Sequence, residues 1–435
     1  MGRIDSSNAR LAVRNASWAT IAVFVLNGFL FASWVSRIPT VRDQLDIGPG
    51  TIGVILLVGS AGSVAALPLA GAVVIRLGTA RTVAMAAGLA AVGMTAVAGS
   101  VLAGSVPLIA LSLALTNVGI AGWDVAMNLE GAMVEQGLGR AIMPIYHAGF
   151  SVGAVLGAAA GALVSRLGVP VPLHLVVMAI AVAFVVAVAV RWFLAEQAGT
   201  PHAETATAGE ALLGSDVQDA IVSDAPAATV ASRRSPFAAW LEPRTLLIGL
   251  LVLSAALTEG SANDWLSLAS IEAFDLSDSN GALVLTVFLA AMTVMRFVGT
   301  AFLDRFGRVL VLRICIALAV VGLLIFALSP SLPLAIAGAV LWGLGAALGF
   351  PVGMSAASDD PTHAAARVSV VSSIGYTAFL AGPPLLGLLA EHVGYRASLL
   401  VIVIPLVISL FITRVAAPPA GSVGSRTDRE DAVNA

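Results

Sequence analysis

Apolar residues in this chain gather in runs of about 20, long enough to cross ~30 Å of hydrocarbon as helix. The runs lie near 16–36, 51–74, 83–103, 107–133, 143–165 and 172–194, then near 245–269, 281–303, 309–329, 333–356, 367–390 and 396–414. They predict an all-α membrane protein of twelve transmembrane helices in two pseudo-symmetric six-helix bundles, 16–194 and 245–414. A polar N-terminal segment (1–15), a linker (195–244) rich in Ala, Thr, Glu and Asp, and a polar tail (415–435) flank the bundles. Linker and tail lack the apolar periodicity of a packed core and are expected to be mobile on the cytoplasmic side.

A short phrase closes four of these runs: GAVVIRLG at Gly71–Gly78, GALVSRLG at Gly161–Gly168, TAFLDRFG at Thr300–Gly307 and GLLAEHVG at Gly387–Gly394. The first and third copies are 229 residues apart (300 − 71) and the second and fourth 226 (387 − 161). Within a half the spacing is 90 or 87 residues, room for three crossings with their loops. Three crossings turn each unit upside down relative to the last, which is the trace of inverted repeats nested in two parallel halves, a build of secondary transporters.

Composition sharpens this picture. Hydrophobic residues are 59% of the chain and charged residues 11%, against roughly a quarter charged in soluble domains. All 22 basic residues are Arg, so arginine alone sets the orientation. With the N-terminus cytoplasmic, only Arg37, Arg42, Arg166 and Arg396 fall outside, which places both termini inside a plasma or inner membrane. The first run is too long and poorly flanked for a cleaved signal peptide. A lone Cys315 argues against disulfides and metal clusters, and no nucleophile–base pair or phosphate loop is present, so neither an enzyme nor a cofactor is expected. The glycines at Gly343–Gly349 follow no strand and belong to helix packing.

Polar groups inside the runs are the candidate chemistry, because a charge at membrane depth is costly unless it faces water or a partner. In the fourth run Asn117, Asp124, Asn128 and Glu135 share one stripe, within about 40° at 100° per residue, while Glu130 points elsewhere. Asp124 falls about 25 Å from the outer start, in the inner half of the membrane. A desolvated carboxylate there can load and release a proton, or it can be a structural acid paired to an Arg at the gate. His147 in the fifth run lies at similar depth and could share a site with Asp124 as a second titrating group, or could simply pack. Gly149, Gly153, Gly157 and Gly161 follow it at every fourth position, and Gly375, Gly382 and Gly387 with Pro383 and Pro384 mark the eleventh run. The two together are expected to form the seam along which the halves rock.

In the seventh run Glu259 and Asn263 share a face, with Glu259 in the outer half and Asp264 and Trp265 close to the outer surface. Asn27 is near mid-depth in the first run; Trp34 and Trp265 suit either a sugar ring or the interfacial belt, and Trp342 is deep enough to be a cavity aromatic. The loop Asp304, Arg305, Gly307, Arg308 can cap a neighbouring helix and lock the inner gate by charge pairing, with Arg296 as a further member. The first-half copy has Ile75 where Asp304 stands.

On the twelve-run pattern, the central linker and the D-R-x-G-R loop, residues 15–414 resemble the major facilitator superfamily. Within it, WDVAMN (Trp123–Asn128), EGSANDW (Glu259–Trp265) and LGFPVG around Pro351 resemble the fucose and glucose proton-symporter branch. The resemblance puts Asp124 in place of that branch's proton-carrying Glu and Asn128 in place of its Asn. It also implies a cavity lined by the first, fourth, seventh and tenth helices and a working monomer. Two departures stand out: His147 occupies what looks like the branch's Gln, and the acid near the end of its first helix is missing among Trp34, Val35 and Arg37. The S-R-I-P, H-A-G-F-S and G-P-P-L-L-G segments look closest to an uncharacterised bacterial permease subgroup.

The expected function is proton-coupled movement of a small polar organic solute, sugar-like in the leading case, by alternating access. Asp124, His147 and Glu259 are the candidate proton groups, and Asn27, Asn117, Asn128, Asn263 and Trp342 the candidate solute contacts. The expected partners are a small-molecule substrate, protons and the lipid bilayer, with no nucleic acid. Proton-driven efflux of a drug or metabolite is the alternative, and a non-transporting sensor a third.

Overall fold

The computed structural model describes residues 2–138, 142–194, 236–359 and 364–417, so most of the linker and tail lie outside the described residues. The first half consists of α1 (Gly2–Val35), α2 (Ile38–Leu45), α3 (Pro49–Leu77), α4 (Thr79–Leu102), α5 (Val106–Leu138), α6 (Met143–Arg166) and α7 (Val171–Ala189). The second half consists of α8 (Pro243–Phe274), α9 (Asp278–Leu328), α10 (Leu332–Ala346), α11 (Gly349–Ala357), α12 (Ala364–Val393), α13 (Tyr395–Ser398) and α14 (Val403–Ile412). Helix α1 reaches back to Gly2, through the polar segment ahead of the first apolar run.

Among the described residues, eleven helical stretches are long and apolar enough to span a membrane. The longest, α9, has 51 residues, about 77 Å at 1.5 Å per residue and too long for one crossing. It breaks at Gly307 (φ 75°, ψ 160°), which makes two crossings of it and twelve in all.

That break explains the fourfold phrase. Gly78, Gly168, Gly307 and Gly394, the last residue of each copy, all have positive φ, between 70° and 81°. At Gly78 and Gly394, as at Gly307, ψ is near 160°, a region that only glycine adopts without strain. The phrase is thus the sharp corner by which one crossing hands over to the next. Asp46 and Asp275, both at φ 51°, end α2 and α8 and lie 229 residues apart (275 − 46), the offset between Gly78 and Gly307.

Helices in lipid gain little from burying apolar surface against one another, so close backbone approach carries much of the packing. The α6 glycines illustrate it: both helices of the expected seam, α6 and α12, lie between the halves, but the α6 glycines face elsewhere. A Cβ on Gly153 or Gly157 would run into the Val25 or Phe29 carbonyl of α1. The glycine face therefore joins α6 to α1 inside one half. The halves meet instead where α6 runs along α9 and α3 along α12.

Carboxylates tie off helix ends on the face where α1 begins and α14 ends, called here the terminal face. Glu130, fully buried, accepts from the Thr79 hydroxyl and the Leu194 amide, both at 2.7 Å, and so fastens the start of α4 to the chain beyond α7. Glu135 accepts from the Ile142 and Met143 amides at 2.7 and 2.8 Å, an anion at the start of α6. In the second half Asp359 takes this part, between Arg308 at 2.6 Å and Arg244 at 2.9 Å.

A central cavity with two polar levels

On the distal face, opposite the chain ends, the halves are closed against each other. The Thr40 hydroxyl donates to Asp278 at 2.5 Å, and the Gly50 amide donates to Glu391 at 3.1 Å. A Cβ on Gly53 would stand 2.8 Å from the Pro383 carbonyl, and one on Gly387 2.6 Å from the Pro49 carbonyl. Helices α3 and α12 thus touch backbone to backbone there.

Below this closure lies a cavity of about 110 Å³ built by both halves. The first half supplies Phe31 and Trp34 from α1, Ser60 from α3, and Thr116 and Asn117 from α5; the second supplies Asn263 and Asp264 from α8 and Phe379 from α12. Asn117 and Asn263 are therefore brought together across the interface. Asp264 is displaced from its expected place near the surface: α8 continues to Phe274, ten residues or about 15 Å further. Among the described residues Asp264 has no hydrogen bond or ion pair. Its sequence signal was an Asn-Asp pair inside an apolar run with no cation near it.

One turn toward the terminal face, Glu259 meets Arg296 of α9 at 2.8 Å. The same guanidinium donates to the Ser151 hydroxyl of α6 at 2.9 Å and to the Ala347 carbonyl at 3.4 Å. Ala347 sits where the tenth crossing breaks between α10 and α11, and a carbonyl released by such a break inside a membrane needs a new donor. Arg296 thus joins a helix break, an acid and the opposite half. It belongs to this central level and not to the terminal-face gate, and its partner lies 37 positions away, beyond any local sequence signal.

Lower still, the Asn128 amide donates to the Asp124 carboxylate at 3.3 Å and to the Asp124 carbonyl at 2.9 Å. Among the described residues no cation pairs with Asp124, so the gate-arginine alternative has no partner here. Tyr376 of α12 stands within electrostatic reach of Asp124 and packs on Phe379, ring centroids 6.3 Å apart, linking this level to the cavity above. His147 does not join Asp124. Its ring abuts Phe24 edge-on at 5.3 Å, and the charge it feels is that of Arg296.

Three of the expected solute contacts, Asn27, Asn128 and Trp342, do not line the cavity, and neither does Trp265. Trp342 is fully buried in the second half, between Phe288 at 5.4 Å and Phe326 at 6.1 Å, as core and not cavity wall. Asn27 is 1% exposed, its amide directed at the Met127 sulfur at 3.9 Å. Trp265 is buried beside Tyr395, with centroids 5.7 Å apart, so neither sugar nor membrane surface reaches it. In the gating loop Arg308 binds Asp359 and the Ser355 hydroxyl. Asp304 and Arg305 are exposed, Arg305 lies over the Phe306 ring at 5.3 Å, and the expected lock through Asp304 does not form among the described residues.

Two matched six-crossing halves enclosing a largely apolar cavity with polar groups from both sides define a secondary transporter. The profile of the Major Facilitator Superfamily matches residues 18–281 and 261–433, and the chain belongs to that superfamily. It is 31% identical over 388 residues to the uncharacterized transporter y4wD of Sinorhizobium fredii (strain NBRC 101917 / NGR234), covering 88% of this chain and 94% of that one. Among solved structures it superposes on the nucleoside transporter NupG with a TM-score of 0.68 at 16% identity, covering 92% and 99% of the two chains. A variant of the E. coli fucose:proton symporter FucP gives 0.60 at 14% identity, with coverage of 92% and 99%. These likenesses are of fold, and the family relatives are transporters, not enzymes.

Proposed function

We propose that this chain moves a small polar organic solute across the membrane by alternating access, with Asp124 carrying the coupled proton. The observation that carries the reading is the cavity itself. It is closed toward the distal face and offers Asn117, Asn263 and Asp264 from opposite halves. Rocking of the halves would take those groups apart and expose the solute to the other side. Two turns below Asn117 on the same helix, Asp124 has a neutral amide beside it and, among the described residues, no cation to hold it ionised. Such a carboxylate suits a proton carrier. Glu259, held by Arg296, is a positioning group in this scheme, and His147 modulates from the Arg296 side. The terminal face is taken as cytoplasmic from the arginine distribution.

Proton-driven export is a second reading with an observation of its own: Val35, Leu56, Met94, Leu113 and Ile120 make one wall of the cavity apolar. A thermal-shift screen of the purified protein separates the two. Stabilisation by sugars, polyols or other polar solutes supports the first reading; stabilisation by lipophilic cations and drugs alone overturns it in favour of export.

A further inference from the structure

The cavity contains a feature that a site for neutral sugars does not require. Asp264 brings a carboxylate into a membrane-enclosed space, and no described residue supplies a counter-charge. The chain has no lysine, and no arginine lines the cavity. The nearest guanidinium described above, Arg296, is already held by Glu259 at 2.8 Å. With Asp124 unpaired at the lower level as well, the path offers two carboxylates and no free cation among the described residues, which disfavours anionic solutes. A half-buried carboxylate without a partner inside the membrane is costly, so a ligand that brings the missing cation gains what the protein lacks.

The remaining walls fit such a ligand. Phe31, Trp34 and Phe379 line the same cavity as Asp264, and aromatic faces attract a cation once water is excluded. Asn117 and Asn263 offer donors and acceptors to the polar remainder. At about 110 Å³ the space holds on the order of eight water-sized positions, enough for a small solute and too little for a large drug.

Resting on the transporter reading above, we propose that the solute carries a protonated amine, bound by Asp264 within the Phe31, Trp34 and Phe379 walls, with its polar groups on Asn117 and Asn263. Asp264 is then the specificity-determining residue, selecting amines over neutral and acidic solutes of the same size.

The test uses the full chain in detergent at neutral pH and solutes matched in size: glucosamine, glucose and gluconate, then ethanolamine, ethylene glycol and glycolate. Binding is read by calorimetry for the parent, Asp264→Asn and Asp264→Glu. The amine member of a set should bind about tenfold or more tighter than its neutral twin, with the acid weakest. Asp264→Asn should weaken amine binding about tenfold or more and erase the preference, and Asp264→Glu should keep the preference. If Asp264→Asn does not fold, the order of the twins on the parent protein decides. The inference is overturned if no member binds, if glucose or gluconate binds as well as glucosamine, or if the preference survives in Asp264→Asn. A neutral or acidic preference overturns this inference and leaves the polar-solute transporter intact; binding of lipophilic compounds alone overturns both.

Discussion

Replacing Arg296 by Leu strands the Glu259 carboxylate inside the membrane and removes the donor that serves the Ala347 carbonyl. Breaking a buried ion pair from one side costs about 3–5 kcal/mol, because the remaining charge is left unpaired. About a fifth of each side chain is reached by solvent here (19% and 20%), so the lower end, about 3 kcal/mol, is expected. The bond to Ala347, at 3.4 Å, adds little. Removing the charge as well, in Glu259→Gln with Arg296→Leu, should recover about 2 kcal/mol of that loss. The coupling is therefore at least about 2 kcal/mol, that recovery plus whatever Glu259→Gln costs alone, measurable as a double-mutant cycle on unfolding free energy in detergent. Additive single changes, or a neutral Arg296→Leu, would refute the claim that the pair carries this level of the structure. The Ser151 arm tests the link between halves separately. Ser151→Ala removes one interhelical bond, worth about 0.6–1.7 kcal/mol in membranes, and should shift the population toward the distal-open state roughly three- to twenty-fold. Spin labels at the exposed distal positions Asp43 and Asn280, on opposite halves, report that shift as a longer distance.

Three further changes separate corner, core and closure. Gly307→Ala forces a Cβ into a positive-φ corner and should cost about 1–3 kcal/mol of stability, read by thermal unfolding, although open space surrounds the residue. Trp342→Ala should destabilise by about 3–5 kcal/mol and leave the affinity for a bound solute unchanged, since the ring packs on Phe288 and Phe326 and not in the cavity. Gly53→Val should prevent α3 from meeting Pro383 of α12, so the distal face stays open and a distal cysteine-accessibility assay shows labelling that the parent resists.

The twelve crossings were legible because each needs about 20 apolar residues and little else, and the repeated phrase located its own corners. Polar positions inside the runs stood out as well, and two of them, Asn117 and Asn263, line one cavity. Rotation about the helix axis was not. Trp342 has the depth of a cavity residue but faces α9, and the α6 glycines point at α1 and not at the other half. Pairing across long separations was equally hidden: nothing local joins Glu259 to Arg296. Asp264 was misplaced for a simpler reason, since the apolar run ends before the helix does and α8 continues to Phe274.

The most direct test of proton-coupled transport follows the proton in reconstituted vesicles carrying an internal pH dye, with the solute that stabilises the purified protein most added outside. The account predicts acidification of the lumen with the parent chain, and solute binding without proton movement in Asp124→Asn. Undiminished proton flux in Asp124→Asn, or alkalinisation of the lumen on adding solute, would contradict it.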